Sequence, residues 1–266
     1  MLKHLVISAF VIFSIVLILM YVFQRHLIYF PDVHHPSLNK YQANDITVVS
    51  LQTEDDVTLK SWYKPAINQL PTILYLHGNA GHIGYRMPLA RQFIDAGLGL
   101  LLLEYRGYGG NKGSPSESAF YEDGHTALRY LEKQGIKPQQ TILYGESLGT
   151  GVATELANHH QVCAVVLQSP FTSLVNLSRY HYPWLFIKPW DKFDSLSRIT
   201  AINAPLLVLH GKQDRVVPYS DGLAIFNTAI EPKQMFSFEQ KGHNNLWEST
   251  GFSDKVIYFI RTHCTN

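Results

Sequence analysis

Ser147 lies in the run Gly145-Glu146-Ser147-Leu148-Gly149. A G-x-S-x-G pentapeptide means little by itself. Here the apolar run Thr141-Ile142-Leu143-Tyr144 leads straight into it, and a helical segment, Ser147 to His159, leads straight out. Strand, sharp turn and helix in that order lift a serine hydroxyl above the end of a sheet, as an attacking nucleophile requires. Glycines on both flanks leave room for backbone where a Cβ would clash, and Gly151 extends the small-residue surface.

A serine hydroxyl is a poor nucleophile until a base takes its proton. The chain has 13 histidines, so most are bystanders. His243, in Gln240-Lys241-Gly242-His243-Asn244-Asn245, follows the last predicted strand and precedes the last predicted helix, and is the predicted base. The base needs a carboxylate to fix its tautomer and stabilise the imidazolium. Asp214, in His210-Gly211-Lys212-Gln213-Asp214-Arg215-Val216-Val217-Pro218, follows a strand and precedes a helix. Glu104, Asp191 and Asp194 are worse placed, by chain order or by position beside a later excursion. Ser147, Asp214 and His243 each stand at a strand's carboxyl end, which is more specific than any one motif.

The tetrahedral intermediate of acyl transfer needs backbone N–H donors for its oxyanion. Leu148, the residue after the nucleophile, is one expected donor. Asn79, in the loop His77-Gly78-Asn79-Ala80-Gly81, is the other. His77 opens that loop and is a candidate to support it from behind. His210 ends a strand and is expected to shape the turn beneath Asp214. His34, His35, His159 and His160 read as solvated.

The elements that must hold these residues alternate. Ile46–Leu51 and Val57–Tyr63 read as an opening antiparallel pair. Strands follow over Thr72–Leu76, Leu98–Leu103, Thr141–Tyr144, Val162–Gln168, Pro205–His210 and Gln234–Phe238. Helices over Tyr85–Ala96, Ser116–Gln134, Ser147–His159, Ser220–Thr228 and Ser253–Thr262 separate them. Continuous apolar runs suit strands buried on both faces, so the pattern predicts a mostly parallel sheet with helices on both faces. One stretch, about 170–200, breaks the alternation with Phe171, Tyr180, Tyr182, Trp184, Phe186, Trp190 and Phe193. It reads as a small aromatic lid over the site, the alternative being a loop packed on the sheet's edge.

Leu5 to Phe23 carries no charge and only two serines. As a helix such a run spans about 28 Å, close to the hydrocarbon core of a bilayer. It exceeds the h-region of a signal peptide, and no small-x-small cleavage site follows. A single transmembrane anchor is expected, with Tyr21 and Phe23 at the interface. Lys3 and Arg25 nearly balance, with a slight lean to a cytoplasmic N-terminus and the domain outside. The chain thus divides into an anchor over 1–26, a linker over 27–43 and a catalytic domain over 44–266. With 22 basic and 21 acidic residues it offers no clustered basic surface for nucleic acid. Cys163, in an apolar run, reads as a buried thiol. Two cysteines exclude a disulfide framework, and no metal-ligand spacing is present.

Taken together, HGNAG, EYRGYG at Glu104–Gly109, GESLG, SPFTSL at Ser169–Leu174, FDSL at Phe193–Leu196, HGKQDRVVP and KGH resemble one branch of the α/β-hydrolase superfamily. This is the branch of membrane-anchored alpha/beta hydrolase domain proteins, similar to serine-aminopeptidase-like hydrolases and animal depalmitoylases. The resemblance runs from about Asn44 to the C-terminus. It implies the α/β-hydrolase fold, a Ser147-Asp214-His243 triad, an oxyanion hole at Asn79 and Leu148, and Arg106 tying loops together. Where the animal depalmitoylases carry an N-terminal cysteine cluster, this chain carries its apolar run. The expected chemistry is two-step acyl transfer on an ester or thioester, with a small-molecule, lipid or acylated substrate and neither cofactor nor metal. A peptidase on the same triad and a non-catalytic scaffold or receptor are the alternatives.

Overall fold

The computed structural model describes residues 2–265. The chain opens with α1 (Leu2–Val22) and a one-turn α2 (Gln24–Ile28). Then come β1 (Phe30–Pro31), β2 (Thr47–Gln52), β3 (Thr58–Lys64), β4 (Thr72–Leu76) and β5 (Ala80–Gly81). The alternating body follows: α3 (Met87–Asp95), β6 (Gly99–Leu103), α4 (Glu117–Lys133), β7 (Thr141–Glu146), α5 (Leu148–His159) and β8 (Ala164–Gln168). The excursion holds α6 (Leu174–His181) and α7 (Ser195–Arg198). The chain ends through β9 (Leu206–Gly211), α8 (Tyr219–Thr228), β10 (Lys233–Phe238) and α9 (Phe252–Cys264).

Eight strands form one sheet in the order β10-β9-β8-β7-β4-β6-β3-β2. β2 and β3 join as an antiparallel edge, and all strands from β6 to β10 run parallel. The apolar runs alternate between two cores. Leu74, Leu76, Leu143 and Leu167 face one, and Ile73, Tyr75, Ile142 and Val166 face the other. Each strand feeds both cores, which is why its sequence is apolar throughout rather than alternating.

The topology sets where a site can form. After β4 the chain crosses to β6 on one side, then returns to β7 on the other. Clefts of open α/β sheets lie at such a reversal, beyond the carboxyl ends of the strands. Leu76 pairs with Gly145 in register, so the loops leaving β4 and β7 emerge side by side.

Three features depart from the sequence expectations. Cys163 is not a free thiol. It is bonded to Cys264 across 101 residues, with Cα atoms 5.7 Å apart. The N-terminal end of β8 and the C-terminal end of α9 meet in the fold, and two cysteines there suffice for a bridge. The stretch 27–43, expected as a linker, contributes β1, which pairs in parallel with β5. His160, expected in solvent, is half-buried with Nε2 3.0 Å from His125 Nδ1.

No residue of α1 is buried against the rest of the chain. Its 21 residues extend about 31 Å, enough to cross a bilayer by length and composition.

Candidate active site

Ser147 sits between β7 and α5 at φ 51° and ψ −115°. A left-handed φ is costly for a residue with a side chain and persists only where its surroundings enforce it. They do so here. A Cβ on Gly145 would lie 2.7 Å from the Gly149 carbonyl oxygen, and one on Gly149 would collide with the Leu76 carbonyl oxygen. Backbone from three elements thus closes around the turn. The Ser147 N–H donates to the Gln168 carbonyl, and the Ser147 carbonyl accepts from Thr150 N–H and Oγ1–H.

The three residues expected to act together do meet. Ser147 Oγ lies 2.9 Å from His243 Nε2, and His243 Nδ1 lies 2.7 Å from Asp214 Oδ2. Nδ1–H donates to the carboxylate, which leaves the Nε2 lone pair for the serine proton. The other carboxylate oxygen of Asp214 accepts the N–H groups of Val216 and Val217, both at 2.8 Å. Burial of Asp214 works to raise its pKa. Hydrogen bonds from His210 and His243, the His243 charge and the Val217 N–H outweigh burial and hold the carboxyl below the usual carboxylate range. His210 lies beneath the turn as expected, with Nε2 3.1 Å from the Val217 carbonyl and 3.5 Å from Asp214.

Leu148 is the first residue of α5, where backbone N–H groups lack intrahelical partners. Asn79 stands across from it in the loop after β4. A Cβ on Gly78 would lie 3.4 Å from Ser147 Cβ, so this loop passes close over the nucleophile. His77 orients it. Its buried Nδ1–H donates to the Gly78 carbonyl at 2.7 Å. In a trans peptide the carbonyl and the next N–H point in opposite directions, so holding Gly78 O aims Asn79 N–H. His77 Nε2 in turn lies 3.2 Å from Glu104 Oε1, with both side chains out of solvent.

Several residues of the site carried no signal in the sequence. Arg86 forks onto Glu146 at 3.0 and 3.1 Å, and Tyr75 donates to the same carboxylate at 2.8 Å. Arg86 also donates to the Ala80 carbonyl at 2.8 Å, tying the loop after β4 to the residue preceding the nucleophile. Burial opposes the charge on Glu146, and the paired Arg86 overcomes it, holding the carboxyl below its usual range. The strap behind α2 was equally silent. Phe30 N–H donates to the Asn79 carbonyl at 3.0 Å, and the Asn79 side chain donates to the Ile28 carbonyl at 2.6 Å.

Ser147 and His243 open into a cavity of ≈ 460 Å³ whose apolar walls are Phe30, Tyr85, Leu89, Val216 and Trp247. No residue of 170–200 lines it. Phe171 and Phe193 are buried in the core, and the other five aromatics of that excursion face outward. The rim position assigned to a lid is held in part by the strap at Phe30 instead. Away from the cavity, His125, Glu155 and His159 can bring ligand atoms within 4.8 Å of one another, but Arg198 engages Glu155 at 2.7 Å.

Comparison with known proteins gives the family and the fold. The Hydrolase_4 family, described as serine aminopeptidase, S33, matches residues 68–193. The uncharacterized protein Rv2307c of Mycobacterium tuberculosis is 39% identical over 228 residues, covering 84% of this chain and 81% of that one. Human alpha/beta hydrolase domain-containing protein 17B is 30% identical over 200 residues, covering 73% of this chain and 68% of that one. The chain belongs to the alpha/beta hydrolase family. In fold, this alpha/beta hydrolase is similar to the esterase Pf2001 of Pyrococcus furiosus. The TM-score is 0.72 at 17% identity, covering 89% of this chain and 99% of the esterase.

Proposed function

We propose that this alpha/beta hydrolase is a membrane-anchored serine hydrolase that cleaves a carboxylic ester or thioester through an acyl-enzyme. The carrying observation is the unbroken line Ser147 Oγ, His243 Nε2, His243 Nδ1, Asp214 Oδ2, at 2.9 and 2.7 Å, behind a nucleophile held at positive φ. As Oγ attacks the acyl carbon, its proton passes to His243 Nε2 and Asp214 stabilises the imidazolium. The N–H groups of Asn79 and Leu148 receive the oxyanion. His243 then returns the proton to the leaving alcohol or thiol. A water enters, gives its proton to the same nitrogen, and frees the acid and the serine.

The cavity supports an acyl substrate over an aminopeptidase substrate. Its apolar walls suit an acyl chain. An aminopeptidase needs a free carboxylate for the substrate ammonium. Glu146 is the one carboxylate among the lining residues, and Arg86 and Tyr75 already engage it. The disulfide supports the domain facing an oxidising compartment, with the N-terminus in the cytoplasm.

A substrate panel tests the reading. The full-length chain in detergent is given acyl esters, acyl thioesters and aminoacyl amides of matched leaving groups. Turnover of esters or thioesters, lost in Ser147→Ala, is expected. Turnover confined to aminoacyl amides would replace this reading with the peptidase, and no turnover of any class would favour a scaffold.

A further inference from the structure

The excursion between β8 and β9 leaves a run of aromatic side chains in the open. Tyr180, Tyr182, Trp184 and Trp190 are 60, 51, 55 and 44% exposed, and Phe186 is 95% exposed. Five exposed aromatics within eleven residues mark a surface that meets something other than water.

Its neighbours say what. Trp190 packs edge to face on Tyr21, near the end of α1, with ring centroids 5.3 Å apart. The Trp190 N–H donates to Gln24 Oε1 at 2.6 Å, and the Arg25 guanidinium lies 5.7 Å from the Trp190 ring centre. Arg25 also forks onto the buried Asp191 carboxylate at 3.0 and 3.1 Å, where Tyr29 donates at 2.9 Å. Leu17, Ile18 and Tyr21 of α1 share a shallow cleft with Ile187 and Lys188. The C-terminal end of the run, residues 187–190, therefore lies alongside the last turns of the apolar helix and is clamped to its exit.

We propose that residues 180–190 dock in the headgroup layer of the bilayer that α1 spans. This rests on reading α1 as a membrane anchor. Tyrosine and tryptophan favour that layer because one end of the ring system is apolar and the other hydrogen-bonds. Exposed Arg179 and Lys188 flank the aromatics and suit lipid phosphates. A second copy of the chain would not need the patch to be continuous with α1, whereas a bilayer does.

The docking bears on substrate. His181, within the aromatic run, donates from Nε2 to the Val216 carbonyl at 2.8 Å, and Val216 lines the catalytic cavity. Phe30, on the strap leaving α2, lines the same cavity. Both elements fixed to the membrane thus border the mouth of the site. The substrate class narrows to acyl groups carried by lipids or lipid-modified chains of that same leaflet, delivered by shared residence in the membrane rather than by diffusion from water.

The test uses the full-length chain in phosphatidylcholine vesicles, with or without bromine on the acyl chains near the headgroups. The four tryptophans are Trp62, Trp184, Trp190 and Trp247. With two of them at headgroup depth, brominated lipid is expected to remove roughly half of the tryptophan emission. Trp184→Phe/Trp190→Phe should show almost no quenching, while retaining wild-type turnover of a water-soluble ester. Flotation after a carbonate wash separates the possible failures. Protein that floats yet is quenched no more than the double variant overturns the docking and leaves the anchor standing. Protein that stays out of the vesicle fraction overturns the anchor, and the docking with it. Floating, unquenched protein that crosslinks as a dimer through residues 180–190 assigns the patch to a second copy and also overturns the proposal.

Discussion

Ser147, His243 and Asp214 divide their work by environment. His243 is partly open to the cavity, whereas the Asp214 side chain is fully enclosed and saturated by donors. Because hydrogen bonds hold the folded Asp214 carboxyl below its ordinary value of 3.8, the folded state binds fewer protons there than the unfolded chain does. Stability from this residue is therefore full above about pH 5 and is lost as pH falls below the ordinary value. Melting temperature followed from pH 6 downward should fall less steeply for Asp214→Asn than for wild type. Equal slopes would mean that this carboxylate is not the acid-sensitive group. On the proposed mechanism, His77 positions the Asn79 donor without touching the reacting atoms. His77→Ala frees the Gly78 peptide and should lower kcat about 10- to 100-fold with KM nearly unchanged, as misaimed catalytic donors do. A change confined to KM would mean instead that His77 shapes the binding cavity.

At the scale of elements, the turn between β7 and α5 is set by close backbone approach. A Cβ at Gly149 would collide with the carbonyl leaving β4, whereas one at Gly135 would meet nothing within 4 Å despite φ +83°. Gly149→Ala should cost about 3 kcal/mol through overpacking, and Gly135→Ala about 1 kcal/mol through backbone strain alone. Urea denaturation of the detergent-solubilised protein measures both, and equal costs would refute the backbone-contact explanation. This turn was legible in the sequence because its glycines, serine, strand and helix are contiguous. Asp214 and His243 were legible for a related reason, since each follows a strand whose apolar run is unmistakable. The Arg86–Glu146 pair and the Phe30 strap were not legible. A two-residue strand has no periodicity to detect, and the partners of Arg86 are set by packing across 60 residues of chain. The aromatic run at 180–190 was found by composition, but composition carries no direction. Its side chains face outward because Asp191 and Glu117 fasten the base of the excursion to α2 and α4.

At the scale of the molecule, the bridge between Cys163 and Cys264 ties the C-terminal helix to the sheet. It was hidden for want of any local signal, since 101 residues separate the two sulfurs. A loop of that size is worth about 4.7 kcal/mol in the chain-entropy picture. Reductant should lower the wild-type melting temperature and leave Cys163→Ser/Cys264→Ser, already destabilised, unchanged. Wild type insensitive to reductant would mean that the thiols stay free. On the proposed reading, bridge, apolar helix and aromatic patch belong to an enzyme that works at a membrane surface, and that reading depends on an activated serine. The most direct measurement is reaction of the full-length chain with a fluorophosphonate, followed by digestion and mass spectrometry of the modified peptide. Phosphonylation of Ser147 alone, abolished in Ser147→Ala and greatly slowed in His243→Ala, is the expected result. A folded wild-type protein that stays unlabelled, or that is labelled equally after Ser147→Ala, would contradict the central claim.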